Sequence, residues 1–148
     1  MKILIAASEC VPFVKVGGLA DVCGALGKYL KQAKHDVRII LPLYKKINRE
    51  KFGIKPIPGK FTIPFGNDSL EVSLAQTKSD GVQVIFVISE KYFNRDEVYG
   101  TEKGDYPDQH ERYIFFSRAV LEACKFINFK PDVLHCHDWQ TGIIPAYV

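Results

Sequence analysis

Lys2-Ile3-Leu4-Ile5-Ala6-Ala7, followed shortly by Lys15-Val16-Gly17-Gly18-Leu19, decides how this chain folds. The first run is apolar without alternation, which predicts a buried parallel-type strand over residues 2–8. From Leu19 the pattern changes period: Val22, Cys23, Leu26, Tyr29, Leu30 and Ala33 recur at helical spacing, with Asp21, Lys28, Lys31 and Lys34 opposite. The helix should end near His35-Asp36. Val37–Leu41 then reads as a second strand, stopped by Pro42. A strand–helix–strand unit of this kind is nearly always a right-handed parallel crossover.

The junction between the first strand and the helix is a ready anion site. The opening amides of a helix lack intrahelical partners, and the positive end of its dipole points the same way. Lys15 adds a full charge. The expected ligand is a phosphate, although a tight turn that needs glycine only for its backbone angles fits the spacing equally well. The turn is neither a G-x-G-x-x-G dinucleotide fingerprint nor a P-loop.

Further along, Phe61–Phe65, Leu70–Gln76 and Val82–Ile88 are short β-rich runs separated by Gly66-Asn67-Asp68 and Ser79-Asp80-Gly81. Residues 61–76 read as a hairpin inserted into the α/β scaffold, and 82–88 as a return to the main sheet. Residues 90–109 are polar and read as a long loop, which in a compact domain is usually functional or mobile. A second amphipathic helix is predicted from Asp108 to Ile127, presenting Phe116, Val120, Ala123 and Ile127 with Tyr113, Ala119 and Cys124 beside them; Pro131 bars its continuation. Asp132–Cys136 is the next strand, and Ile143–Val148 resembles the first turns of another helix. The chain stops in mid-pattern, so residues 1–148 are expected to be one truncated domain of a longer protein.

Composition excludes several classes. A chain of 148 residues that is 47% hydrophobic and 25% charged is an ordinary globular domain. A net charge of +3 with lysines and acids intermixed argues against nucleic acid. No apolar run is long enough to span a membrane. Met1 leads directly into a strand pattern, which leaves no room for a signal or transit peptide and points to a bacterial cytoplasmic protein. Cys10, Cys23, Cys124 and Cys136 form no Cys-x-x-Cys pair and read as buried, inert thiols.

The second chemical cluster is His135-Cys136-His137-Asp138-Trp139. Alternation along the strand puts both histidines on one side and Cys136 on the other. Two histidines without two further spaced ligands make a weak zinc signal. In open parallel sheets, ligands bind beyond the carboxyl ends of the strands, so the 15–19 and 137–141 turns should line one crevice. Asp138 there can orient a sugar hydroxyl or cap the following helix, and Trp139 can stack on a sugar or fill core. Asp21 reads as a solvated charge or a hydroxyl acceptor beside the phosphate. Glu9 lies on the same rim. Over 90–112, Tyr92, Tyr99 and Tyr106 interleave with Asp96, Glu97, Asp105, Asp108 and Glu111, with Arg95 and Arg112 among them, a mixture suited to carbohydrate as well as to a solvated loop.

Taken together, Lys2–Pro12, Lys15–Val22 and Asp132–Gly142 resemble the bacterial glycogen synthases and plant starch synthases. Tyr92–Arg95, Tyr99-Gly100 and Asp108–Arg118 extend the likeness over essentially the whole chain. The resemblance implies a Rossmann-like three-layer α/β domain with an inserted hairpin, the N-terminal half of a two-domain GT-B glycosyltransferase. It implies retaining transfer of glucose from ADP-glucose to the non-reducing end of an α-1,4-glucan. By the same resemblance Asp138 is catalytic, and Lys15, Gly17, Gly18, Glu9 and Asp21 bind the donor. Tyr99, His135 and Trp139 contact sugar or support the site. Neither metal nor cofactor is implied; the partners are ADP-glucose, the glucan and a C-terminal domain, and the piece alone should be inactive. Gln109 stands where relatives often carry Asn, a mild departure away from the chemistry. The competing readings are a related transferase using UDP-glucose, a stand-alone nucleotide- or glycan-binding module, and a redox or metal protein built on Cys136 and the two histidines.

Overall fold

The computed structural model describes residues 1–148. Strand β1 (Lys2–Ala6) leads through the glycine turn into helix α1 (Gly18–Gln32) and strand β2 (Asp36–Pro42). Strands β3 (Lys55–Phe65) and β4 (Asp68–Ser79) form the hairpin, and β5 (Val82–Ile88) returns to the sheet. Helix α2 (Glu90–Phe93) and the two-residue strands β6 (Gly100–Thr101) and β7 (Gly104–Asp105) precede helix α3 (Gln109–Phe126) and strand β8 (Val133–Cys136). Two 3-10 turns, Trp139–Thr141 and Ile144–Tyr147, complete the chain. The long polar loop expected over 90–109 therefore carries a helical turn and a miniature hairpin, and the expected terminal α-helix is a 3-10 turn.

The six-stranded sheet runs β3-β4-β5-β2-β1-β8. Its β5-β2-β1-β8 portion is parallel, while β3 and β4 extend it in antiparallel fashion. The sheet is thus mixed, because the hairpin continues the main sheet at its edge. Both hairpin strands are longer than the expected 61–76, since β4 stays paired with β5 through Ser79–Val82.

From β1 the chain steps to β2 on one side and later reaches β8 on the other. Right-handed crossovers in opposite directions place α1 and α3 on opposite faces. Side chains agree: a Cβ on Gly27 of α1 would lie 2.8 Å from Ile39 Cδ1, whereas Arg38, the preceding residue and on the other face, stacks 3.9 Å above Phe129 just beyond α3. The point where strand order diverges, between β1 and β8, is where open α/β sheets form their ligand crevice.

The face that α1 buries only partly matches the one the periodicity indicated: Cys23, Leu26 and Leu30 pack on the core as expected. Ala20, Cys23 and Gly27 are buried, while Val22 and Tyr29 are 55% and 65% exposed. Small residues win because they let the helix backbone approach Ile5 and Ile39. On the opposite face, α3 buries Phe115 and Phe116 as well as Tyr113, Ala119, Val120 and Ala123. The rings of Phe65 in the hairpin and Phe115 meet edge to face at 6.0 Å.

Cys10 and Cys23 are inert by environment, whereas Cys124 and Cys136 are only part-buried. Burial pushes Cys10 and Cys23 from 9.0 to about 12. Above the unfolded value the unfolded thiol loses its proton and the folded one keeps it, so stability falls as pH rises between these limits. We expect each thiol to remove on the order of 2 kcal/mol by about pH 10.5. Urea unfolding at neutral and alkaline pH measures this, and Cys10→Ala should flatten the profile.

Candidate active site

The glycine turn is built around Glu9. After β1, the buried segment Ala7–Cys10 carries the Glu9 carboxylate inward at 4% exposure. The amides of Val16 and Gly17 donate to its Oε2 at 2.5 and 2.8 Å, and the Tyr99 hydroxyl donates to Oε1 at 2.6 Å. Ser8 Oγ lies 2.8 Å from the same phenol oxygen. Burial, then the Glu9 hydrogen bond, pushes the Tyr99 phenol well up, so it stays a donor. Two of the turn's amides are consequently engaged by the chain's own carboxylate. The free donors belong to the next turn: Gly18, Leu19 and Ala20 open α1 without intrahelical acceptors for their amides.

Gly17 and Gly18 need their missing side chains for no reason internal to the chain. Gly17 is extended, with φ −136° and ψ −168°, and a Cβ on either glycine would meet nothing within 4 Å. Backbone angles therefore do not explain the pair. Gly24 in the same helix behaves differently, because its Cβ would fall 2.5 Å from Val11 Cγ2 and 3.0 Å from the Val11 carbonyl oxygen. Gly24→Ala is expected to destabilise by about 1–3 kcal/mol. Gly18→Ala should be neutral or stabilising by up to about 0.5–1 kcal/mol. Denaturant unfolding of the two variants separates these outcomes.

Lys15 and Asp21 pair at 2.7 Å, each with its side chain 54% exposed. Such a pair contributes at most about 1 kcal/mol, so either partner is free to turn to a ligand.

The second turn leaves β8 beside the first. Ala6 and Cys136 are paired across β1 and β8, and the His137 amide donates to the Ala6 carbonyl at 3.0 Å. Asp138 follows with φ 61° and ψ −177°, a region otherwise reserved for glycine and costing of order 1–3 kcal/mol. Its carboxylate accepts from the Trp139 amide at 2.7 Å, capping the 3-10 turn, and Thr141 Oγ1 donates to the His137 carbonyl at 2.7 Å. Capping is thus one use of Asp138, but an ordinary cap does not require this backbone. The His135 and His137 rings lie 4.3 Å apart on one side of the strand. Burial, then His135, holds the His137 imidazole below its ordinary range.

Aromatic rings connect the two turns. Tyr99 lies 6.2 Å from Tyr113, and Trp139 meets the edge of Tyr113 at 5.1 Å while remaining 55% exposed. Trp139 is therefore not core. It overhangs a hollow of about 420 Å³ lined by Gln109, His110, Tyr113, Ile114, Gln140 and Ile143. Tyr113 and Gln109 were not among the expected site residues, and Arg112 was expected only as one charge of the polar 90–112 segment. Tyr113 read as helix core, and a buried arginine in α3 contradicts its sequence polarity. By contrast, Tyr92 and Tyr106 do not reach the rim: Tyr92 is fully buried and bonds Glu111, and Tyr106 stacks on Arg95 and Arg112.

Comparison with known proteins shows the family. A family model described as the starch synthase catalytic domain matches residues 2–148. The chain is 50% identical to a glycogen synthase of Elusimicrobium minutum over 149 aligned residues, covering 100% of this chain and 31% of the relative. It is 46% identical to a glycogen synthase of Geotalea daltonii, covering 98% of this chain and 30% of that protein. The catalytic domain of starch synthase IV from Arabidopsis thaliana, bound to ADP and acarbose, superposes with a TM-score of 0.84 at 33% identity, over 97% of this chain and 29% of that one. The chain thus spans about a third of the length of these relatives.

Proposed function

The chain belongs to the starch synthase catalytic-domain family, and from that premise we propose that it forms the donor-facing N-terminal part of a retaining glucosyltransferase. The reaction moves glucose from ADP-glucose to the non-reducing end of an α-1,4-glucan, in the bacterial cytoplasm. The single observation that carries this reading is the glycine pair: neither backbone angle nor internal packing demands it. Close approach of something outside the chain is the physical reason that remains, and an anion is what a helix N-terminus attracts.

In this reading the donor diphosphate lies over Gly17 and Gly18. It receives the first-turn amides of α1 and the ammonium of Lys15, which exchanges Asp21 for phosphate oxygen. Negative charge grows on the departing ADP during transfer, and donors fixed in advance stabilise that charge more than they stabilise the ground state. No cofactor enters the scheme. Glu9 holds the turn in shape, so its role in donor binding is exerted through the backbone of Val16 and Gly17. Asp138 supplies negative charge at the reaction centre, where the sugar becomes cationic. Tyr99, His135 and Trp139 shape the sugar side, with the exposed indole available to stack on a glucosyl face. The remaining acceptor and nucleotide contacts come from a second domain, and the 148-residue chain alone transfers no glucose.

Lys15→Ala tests the assignment. Loss of a charge-assisted contact is expected to weaken ADP binding by about 10- to 100-fold, while the exposed position leaves folding intact. Equal ADP affinity for the two proteins by titration calorimetry contradicts it.

A further inference from the structure

Arg112 is fully buried and makes no ion pair of its own; Asp108, whose carboxylate feels its charge, is bonded to Arg95 instead. Its Nε donates to the Tyr92 carbonyl at 2.9 Å, and one terminal nitrogen donates to the Val98 carbonyl at 2.9 Å and to Gln109 Oε1 at 2.7 Å. The rings of Phe93, Tyr106 and Tyr113 surround the guanidinium at 5.7, 5.1 and 5.4 Å. Its other terminal nitrogen has no partner. Burying a cation without a directly bonded counter-ion is expensive, and holding a loop to a helix does not by itself require one.

What this charge organises is visible one step further out. Gln109 accepts from Arg112 and, through Nε2, donates to the Tyr99 carbonyl at 2.5 Å. The first turn of α3 thereby grips two successive carbonyls, Val98 and Tyr99. The Tyr99 hydroxyl then bonds Glu9, whose other oxygen takes the amides of Val16 and Gly17. Each link is a hydrogen bond between groups with little freedom to move.

We propose that Arg112 and Gln109 are positioning residues for the phosphate-facing turn. They fix the backbone at Val98–Tyr99, and through the Tyr99 phenol and the Glu9 carboxylate they set how Gly17-Gly18 enters α1. Gln109, distant from the chemistry in sequence, is thus two side chains from the donor turn. The identity of the ligand rests on the proposed function, but the coupling does not.

Spatial continuity is not coupling, so the test is a double-mutant cycle read at the far end. Hydrogen exchange at the Val16 and Gly17 amides is measured in the 148-residue chain without nucleotide. Gln109→Met and Tyr99→Phe are each expected to raise exchange there by about tenfold, and the combination should raise it no further. Arg112→Met should do the same. Where that variant fails to fold, Gln109→Glu replaces it, because it keeps an acceptor for Arg112, now charged, and loses the donor to Tyr99. A merely structural role would instead raise exchange throughout α3 and the sheet. Unchanged Val16 and Gly17 amides in the Gln109 variants, or effects that multiply in the double variant, overturn the proposal. Such a failure leaves the phosphate reading standing, whereas wild-type chain that binds no ADP overturns that reading alone.

Discussion

Asp138→Gly is expected to stabilise the chain by about 1 kcal/mol and to abolish transfer in a longer protein that carries it. The backbone at Asp138, φ 61° and ψ −177°, lies where only glycine is at ease. Relief of of order 1–3 kcal/mol of strain is partly offset by the added freedom of an unfolded glycine and by the lost cap, each worth a few tenths to about 1 kcal/mol. Asp138→Ala makes the contrast. Alanine keeps the strain and loses the hydrogen bond to the Trp139 amide, so it should destabilise by about 1 kcal/mol. Transfer from radiolabelled ADP-glucose to glycogen should fall about a hundredfold or more with either substitution, because no neighbouring group replaces the carboxylate. Denaturant unfolding alongside the transfer assay reads both effects. Glycine and alanine variants of equal stability would show that the unusual backbone stores no strain.

Glu9→Ala should be the most destabilising single change on the crevice rim. It removes the acceptor of three hydrogen bonds at a site that is 4% exposed. Each donor left without a partner costs about 1–3 kcal/mol when water cannot reach it, and the partly open turn lowers that figure. A total of about 2–4 kcal/mol is expected. Glu9→Gln keeps one carbonyl oxygen for Val16 and Gly17 and presents its amide nitrogen to the Tyr99 oxygen, so it should cost about 1 kcal/mol. Urea unfolding of both variants measures the difference. If alanine costs no more than glutamine, the carboxylate is not what holds the turn.

The parts of the fold that were legible in the sequence share a local physical cause. β1 and β2 lie inside the sheet, so Ile3–Ala6 reads as an unbroken apolar run and Val37–Leu41 as one interrupted only by Arg38. The hairpin announces itself through Gly66, whose φ of 63° suits its place at the turn. Part of the α1 face was legible in Cys23, Leu26 and Leu30, but Ala20 and Gly27 act by being small, and a count of large apolar side chains overlooks them. At the site, the placement of the 15–19 and 137–141 turns followed from strand order alone. Glu9 folding back onto amides seven and eight residues later did not. No periodicity encodes a carboxylate that uses its own chain's anion site. Arg112 was hidden for a related reason: its charge is absorbed by backbone carbonyls of Tyr92 and Val98, partners that leave no mark in composition.

The central claim is that Gly17-Gly18 is open so that phosphate can approach the start of α1. The most direct measurement is ADP titration of nitrogen-15-labelled chain, wild type beside Gly18→Ala, following backbone amide shifts and the thermal midpoint. The account predicts that ADP moves the Gly18, Leu19 and Ala20 amides in the wild type. It also predicts that Gly18→Ala weakens this binding by about tenfold or more, the effect of a lost charge-assisted contact, without lowering the midpoint. Undiminished binding to Gly18→Ala, or shifts confined to residues away from this turn, would contradict it.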